Sequence, residues 1–335
     1  MKSKVSKRMK TTFAVLAVFF VLWTSPNQLG SQESGDVVVP ENAKLELLFD
    51  GGFFTEGPAV GPDGFVYFSD ITSPARSGMQ AGHIWRHDPS SGNTTVFRSP
   101  SGMSNGIIFD SERRMVVAEG ADFGGRRITR TDMKTGKSEI LAGLFNGKPL
   151  NSPNDLAIDA RGRIYFTDPR YVGHETQEQP VLGVYRIDPD GSLSLIISDA
   201  GMPNGILVSP DQKTLYVASV DSPEKDPLQA LLAYDLLEDG SVGSRRVVVD
   251  FAPEYGPDGM ALDVEGNLYL ARPGDAPGVY IYSPDGQELG LIPTPVSATN
   301  VTFGRGATGK TLYITAAENL YKIVVNRKGY HLAGK

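Results

Sequence analysis

The chain has 335 residues, a formal charge of −7 and no cysteine. That length gives one large core or two ordinary domains, and the missing cysteine excludes a disulfide scaffold and a thiolate metal site. The acid excess argues against a nucleic-acid or anionic-membrane binder and fits a cation or a small polar substrate.

Lys2, Lys4, Lys7, Arg8 and Lys10 precede a run from Phe13 to Trp23 that is apolar throughout, and Ser25-Pro26 then breaks it. This pattern reads as a secretory signal over residues 1–31, with an uncleaved N-terminal anchor as the alternative. The run falls short of the roughly 20 residues a membrane span needs. An exported protein, periplasmic or secreted and of bacterial type, is the expectation. Losing the five basic residues takes the charge to about −12, which strengthens the preference for a cation.

From residue 32 to 335 the sequence repeats itself. "EGPAVGPDGFVYFSD" starts at Glu56, "SNGIIFDSERRMVVAE" at Ser104, and "PNDLAIDARGRIYFTD" at Pro153. "PNGILVSPDQKTLYVAS" follows at Pro203, "PDGMALDVEGNLYLAR" at Pro257 and "TNVTFGRGATGKTLYITA" at Thr299. Each copy has a polar residue, a short apolar run, a Gly, Asp or Ser turn, and a run rich in Tyr, Val, Ile or Phe. The polar residues are Glu56, Asn105, Asn154, Asn204, Asp258 and Asn300, spaced 49, 49, 50, 54 and 42 residues apart. A period of that length built from short strands predicts an all-β, six-bladed β-propeller with four antiparallel strands, A to D, per blade. The last unit offers only a weak D strand near the terminus. The segment 44–49, "KLELLF", is expected to supply it and close the ring, which removes an exposed sheet edge. One domain, monomeric or dimeric, accounts for residues 32–335.

In a propeller the A strand is innermost, so the six polar residues should converge near the axis. Two acids and several amide oxygens suit a hard divalent cation, and all-oxygen ligation favours calcium over zinc, magnesium or manganese in an exported protein. Read singly, Asn-Gly and Asp-Gly are turn pairs; six in register make a ring. Asp155 is expected to back Asn154. The B–C loops, 71–82, 120–126, 169–182, 220–229 and 272–277, should wall a substrate mouth. They carry Arg76, Arg126, Arg170, Tyr171, His174 and Arg272, each more often a solvated loop residue than a contact. "GMSNG" at 102–106 matches a nucleophile elbow, but the strand-like "IIFD" after it denies the strand–turn–helix setting that motif needs.

The stretches "TEGPAV", "NSPNDLAID", "PNGILVSPD", "PDGMALD" and "TNVTFG" resemble the gluconolactonase, regucalcin and luciferin-regenerating-enzyme family over about residues 45–325. The resemblance implies a lactone hydrolase with one divalent metal ion. It implies metal ligands at Glu56, Asn204 and Asp258, with Asn154 on metal or substrate. The expected chemistry is attack of activated water on a metal-polarised carbonyl, with Asp258 as base or as nucleophile. Candidate substrate contacts are Asn105, Asn154, Asp155, Arg126, Tyr171, His174 and Asn300. Regucalcin-type members hold the sugar with an Arg two residues before the Asn; Ser152 stands there. Two alternatives remain open: a non-catalytic ligand-binding propeller with structural calcium, and a phosphotriesterase-type hydrolase like diisopropyl fluorophosphatase.

Overall fold

The computed structural model describes residues 37–72, 81–220 and 228–332. The leader read at 1–31 and Arg76 lie outside the described residues. Six four-stranded antiparallel sheets follow one another along the chain as the blades of a propeller. The A strands are Thr55–Val60, Ser104–Phe109, Leu156–Ile158, Pro203–Val208, Met260–Leu262 and Ala298–Phe303. Each pairs with a B strand, for example Val66–Asp70 in blade 1 and Ile164–Asp168 in blade 3. Blade 6 takes its outer strand from the N-terminal side, where Glu46–Phe49 runs antiparallel to Asn319–Val324 with Leu47 opposite Tyr321. The ring thus closes as the sequence predicts. Among the described residues no helix is long and apolar enough to cross a membrane.

Burial grades outward. Strands A and B are packed on both faces and read as nearly unbroken apolar runs. Outer strands such as Ser138–Ala142 and Val242–Asp250 are mostly exposed and carry charge, which blunts their free edges. The core is divided into six clusters, each pressed between neighbouring blades. A tyrosine of strand B recurs in several of them. Tyr67, Tyr165 and Tyr269 are fully buried, and their hydroxyls donate to Asp63, Asp159 and Asp263 of the A–B turns. Each buried hydroxyl so gains a partner, as burial requires.

The inner strands approach the axis so closely that four of the six polar residues, Glu56, Asn105, Asn204 and Asp258, are each followed by a glycine with no room for a Cβ. A Cβ on Gly106 would come within 2.8 Å of the Asn154 carbonyl oxygen, and one on Gly259 within 1.9 Å of Asn300 Cγ. The Asn-Gly and Asp-Gly pairs are therefore close-approach points between blades, and the A–B hairpin turns lie elsewhere.

The chain leaves blade 6 and crosses the end of the channel opposite the polar residues. Gly329 bridges to Asp263, and the Tyr330 amide donates to the Leu262 carbonyl. His331 Nε2 lies 2.9 Å from the Gly304 carbonyl oxygen. Leu332 packs on the core between blades 2 and 3.

Candidate active site

The polar residues sit at strand irregularities that aim them inward. Pairing shifts register immediately after Glu56, across Asn105, across Asn204 and just before Asn300. Such bulges re-aim side chains at the end of a strand. Asn154 and Asp258 instead stand two residues before their short A strands. Neighbouring blades then lock the backbone. Ser69 Oγ donates to the Asn105 carbonyl, and Thr167 Oγ1 to the Asn204 carbonyl, both at 2.7 Å. Gly106 N donates to the Asn154 carbonyl at 2.7 Å.

Glu56, Asn105, Asn154, Asn204 and Asp258 line one cavity of about 490 Å³. Asn300 stands behind them: its Nδ2 donates to Glu56 Oε2 at 3.2 Å and its Oδ1 accepts from Val301 N. Asp155 lines the shaft below, where its Oδ1 accepts from Leu156 N at 2.9 Å. Tyr171 lines the cavity. Arg126 and His174 are held away from it. The Arg126 guanidinium donates to the carbonyls of Leu150, Asn151 and Thr176. His174 stacks on Phe123 at 3.9 Å beside Asp122. Together with Glu175, which accepts from the amides of Asp122 and Phe123, they clasp the 120–126 and 169–182 loops. Arg170 joins the same clasp through Glu175, and Arg272 lies between the rings of Phe251 and Tyr280.

Two carboxylates that sequence reasoning passed over hold the segments leading into the site. Asp70, ending strand B of blade 1, accepts from the amides of Phe53 and Phe54 at 2.9 Å. Asp168, at the same place in blade 3, accepts from the amides of Asn151 and Ser152 at 2.8 Å. The signal was present as "FSD" and "FTD" at equivalent repeat positions.

The electrostatics are those of uncompensated charge. Burial pushes the Glu56 carboxyl up to about 8, against bonds from Gly57 and Asn300. Burial first, then the charges of Glu56 and Asp155, raises Asp258 well above the usual range, while its bond to Asn204 opposes this. Of the described residues, no Lys, Arg or His is among the groups acting on either carboxylate. The Asn105 side-chain oxygen is buried with no hydrogen-bond partner. Among the described residues no three His, Cys, Asp or Glu side chains converge at ligating distance. The donor chemistry is therefore two carboxylates supplemented by amide oxygens, which fits a hard divalent cation.

Residues 54–318 match the family described as the SMP-30/Gluconolactonase/LRE-like region. The chain belongs to the SMP-30/gluconolactonase family. Among its family relatives, a gluconolactonase of Zymomonas mobilis is 32% identical over 318 residues, covering 86% of this chain and 83% of the relative. The structure of a gluconolactonase from Xanthomonas campestris superposes with a TM-score of 0.74 at 32% identity, covering 86% of this chain and 91% of that one. Regucalcin from Agrobacterium tumefaciens, described as a calcium-binding protein, shares the fold at TM-score 0.69 and 22% identity, over 87% of this chain and 97% of that one.

Proposed function

We propose that this chain is an exported, metal-dependent lactonase that opens a cyclic ester with water. The observation that carries the reading is the ring itself. A buried carboxylate, Glu56, and a half-buried one, Asp258, with no cationic partner among the described residues, and an unpartnered amide oxygen border one cavity, in a chain whose relatives at 32% identity are named gluconolactonases.

Glu56, Asn154, Asn204 and Asp258 would hold the cation, calcium by donor chemistry. When bound, it supplies a Lewis-acid charge to the lactone carbonyl oxygen. Asp258 accepts the proton of the attacking water as oxygen adds to the carbonyl carbon, then returns it to the ring oxygen as the C–O bond breaks. The product is a hydroxy acid. Asn105 and Asn154 orient the substrate, and the bond from Asn204 keeps Asp258 in place. Asn300 holds Glu56, and the negative charge of Asp155 acts on Asp258 from below.

Turnover followed by acid release across aldono-, acyl-homoserine and aromatic lactones, with and without chelator, tests the reading. Calcium-dependent hydrolysis of at least one class is expected. Asn204→Ala should weaken metal affinity about tenfold, because one ligand of the set is lost, with turnover recovered at excess metal. Failure of every class in the presence of each divalent cation would overturn it.

A further inference from the structure

The cavity has two chemistries. Its polar groups come from the starts of the A strands, and the described residues of the surrounding connections that line it are, Ser152 apart, apolar or aromatic. Phe53 and Phe54 precede strand A of blade 1, Met103 precedes that of blade 2, and Tyr255 lies before blade 5. Tyr171 and Val172 come from the 169–182 loop. Phe54, Tyr171, Val172 and Tyr255 are among the exposed large hydrophobics of the protein, and all four converge on this one mouth. Clustered exposed apolar side chains mark a surface that receives something apolar.

The described cations near the mouth are all committed elsewhere. Arg126 serves the carbonyls of Leu150, Asn151 and Thr176, Arg170 serves Glu175, and Arg272 serves Glu254 and the Tyr255 carbonyl. None lines the cavity. Ser152 does line it; its hydroxyl accepts the Ala121 amide at 2.9 Å and keeps a single O–H to give. A polyhydroxylated ring would therefore set several hydroxyls against carbon, each losing its water without a replacement bond. An alkyl or aryl substituent placed there would instead leave water for apolar surface.

We infer that the preferred substrate is a lactone bearing an alkyl or aryl substituent, received by Phe54, Tyr171, Val172 and Tyr255, and not an unmodified aldonolactone. This rests on the lactonase reading and narrows it. Hydrolysis is unchanged in form: water oxygen bonds to the carbonyl carbon, the ring C–O bond breaks, and the substituent stays on the hydroxy acid.

The test compares kcat/KM of the full mature chain with calcium on δ-decalactone, δ-valerolactone and glucono-1,5-lactone. The decalactone should exceed the gluconolactone by at least ~10-fold, since hydrophobic pocket contacts discriminate on that scale. Phe54→Ala and Tyr255→Ala truncate exposed rings, so folding is retained. Each should raise KM for the decalactone several-fold, leaving its kcat and the δ-valerolactone parameters within about twofold. Faster turnover of gluconolactone, or equal losses on all three substrates, would overturn the inference while the lactonase reading stood. No turnover of any lactone overturns both.

Discussion

At the cavity end of the channel, burial and the charge of Glu56 raise the pKa of Asp258, with no basic side chain among the described residues acting on either carboxylate. At the opposite end, Arg305 gives its Nε to the Val60 carbonyl, and the chain's own Tyr330, His331 and Leu332 cover the opening. The same six inner strands build both ends. At one, unpaired charge is left facing a cavity; at the other, polar groups are met by the protein itself. The contrast supports the proposal that the cavity end is the one that receives a ligand. The fold satisfies polar groups wherever a segment can reach them, and Ser69, Thr167 and Asn300 do so even within the ring's own backbone and second row. The charges left over at the cavity end are a departure from the fold's own habit.

The largest effect should come from removing the proton acceptor at the open end. Asp258→Asn keeps a carbonyl oxygen but loses the base and one negative charge. At saturating metal, turnover should fall by roughly 10²–10⁴, with thermal stability of the metal-free protein unchanged or higher, because a half-buried carboxyl repelled by Glu56 and Asp155 is gone. Near-normal turnover in that variant would make Asp258 a ligand only and move the base to Glu56 or Asp155.

The covered end should respond the other way. Ending the chain after Gly329 removes Tyr330, His331 and Leu332 from the channel mouth. Stability should drop by about 2–4 kcal/mol for the lost apolar contacts, with kcat at 25 °C within about twofold. A large loss of kcat at unchanged melting temperature would break the comparison.

The smallest effect is a pair of opposite pH slopes. Asp168, beside the open end, is raised by burial to about 7. The native state then holds a proton that the unfolded chain has released. Its contribution is complete below about 4 and lost as pH rises to about 7. His331, at the covered end, is lowered by burial and by Arg305 to about 4. There the unfolded chain takes up the proton first, so stability is lost as pH falls from about 6.5 to 4. Melting temperatures between pH 4 and 8 should show Asp168→Asn flattening the neutral limb and His331→Gln the acid limb. Identical profiles in both variants would show that neither group contributes.

The ring was legible because its signal is repeated. A polar residue before an apolar run means little at Asn154 alone and much at six positions in register. The closing strand was legible because "KLELLF" precedes the first repeat while the last lacks a partner. What escaped depended on contacts between distant loops. Nothing local to Arg126 or His174 says that their groups will be used by carbonyls and a ring about 50 residues away, as in the bonds from Arg126 to Thr176 and from His174 to Asp122. The terminal residues 330–332 carry no strand pattern, and their place across the channel is set by what blades 2, 3, 5 and 6 offer them. Asp70 and Asp168 were missed for another reason: they recur with the repeat, but as strand ends they read as boundaries.

The closing strand has a consequence in time. Thr55, just after it, bonds the carbonyl of Asn319, 264 residues away. A segment synthesised early therefore waits for one synthesised some 264 residues later. Until then the first and sixth blades each lack a neighbour, and strand edges stand open to other chains. Contacts of such sequence separation are slow to form. In the finished ring every blade has a neighbour on either side.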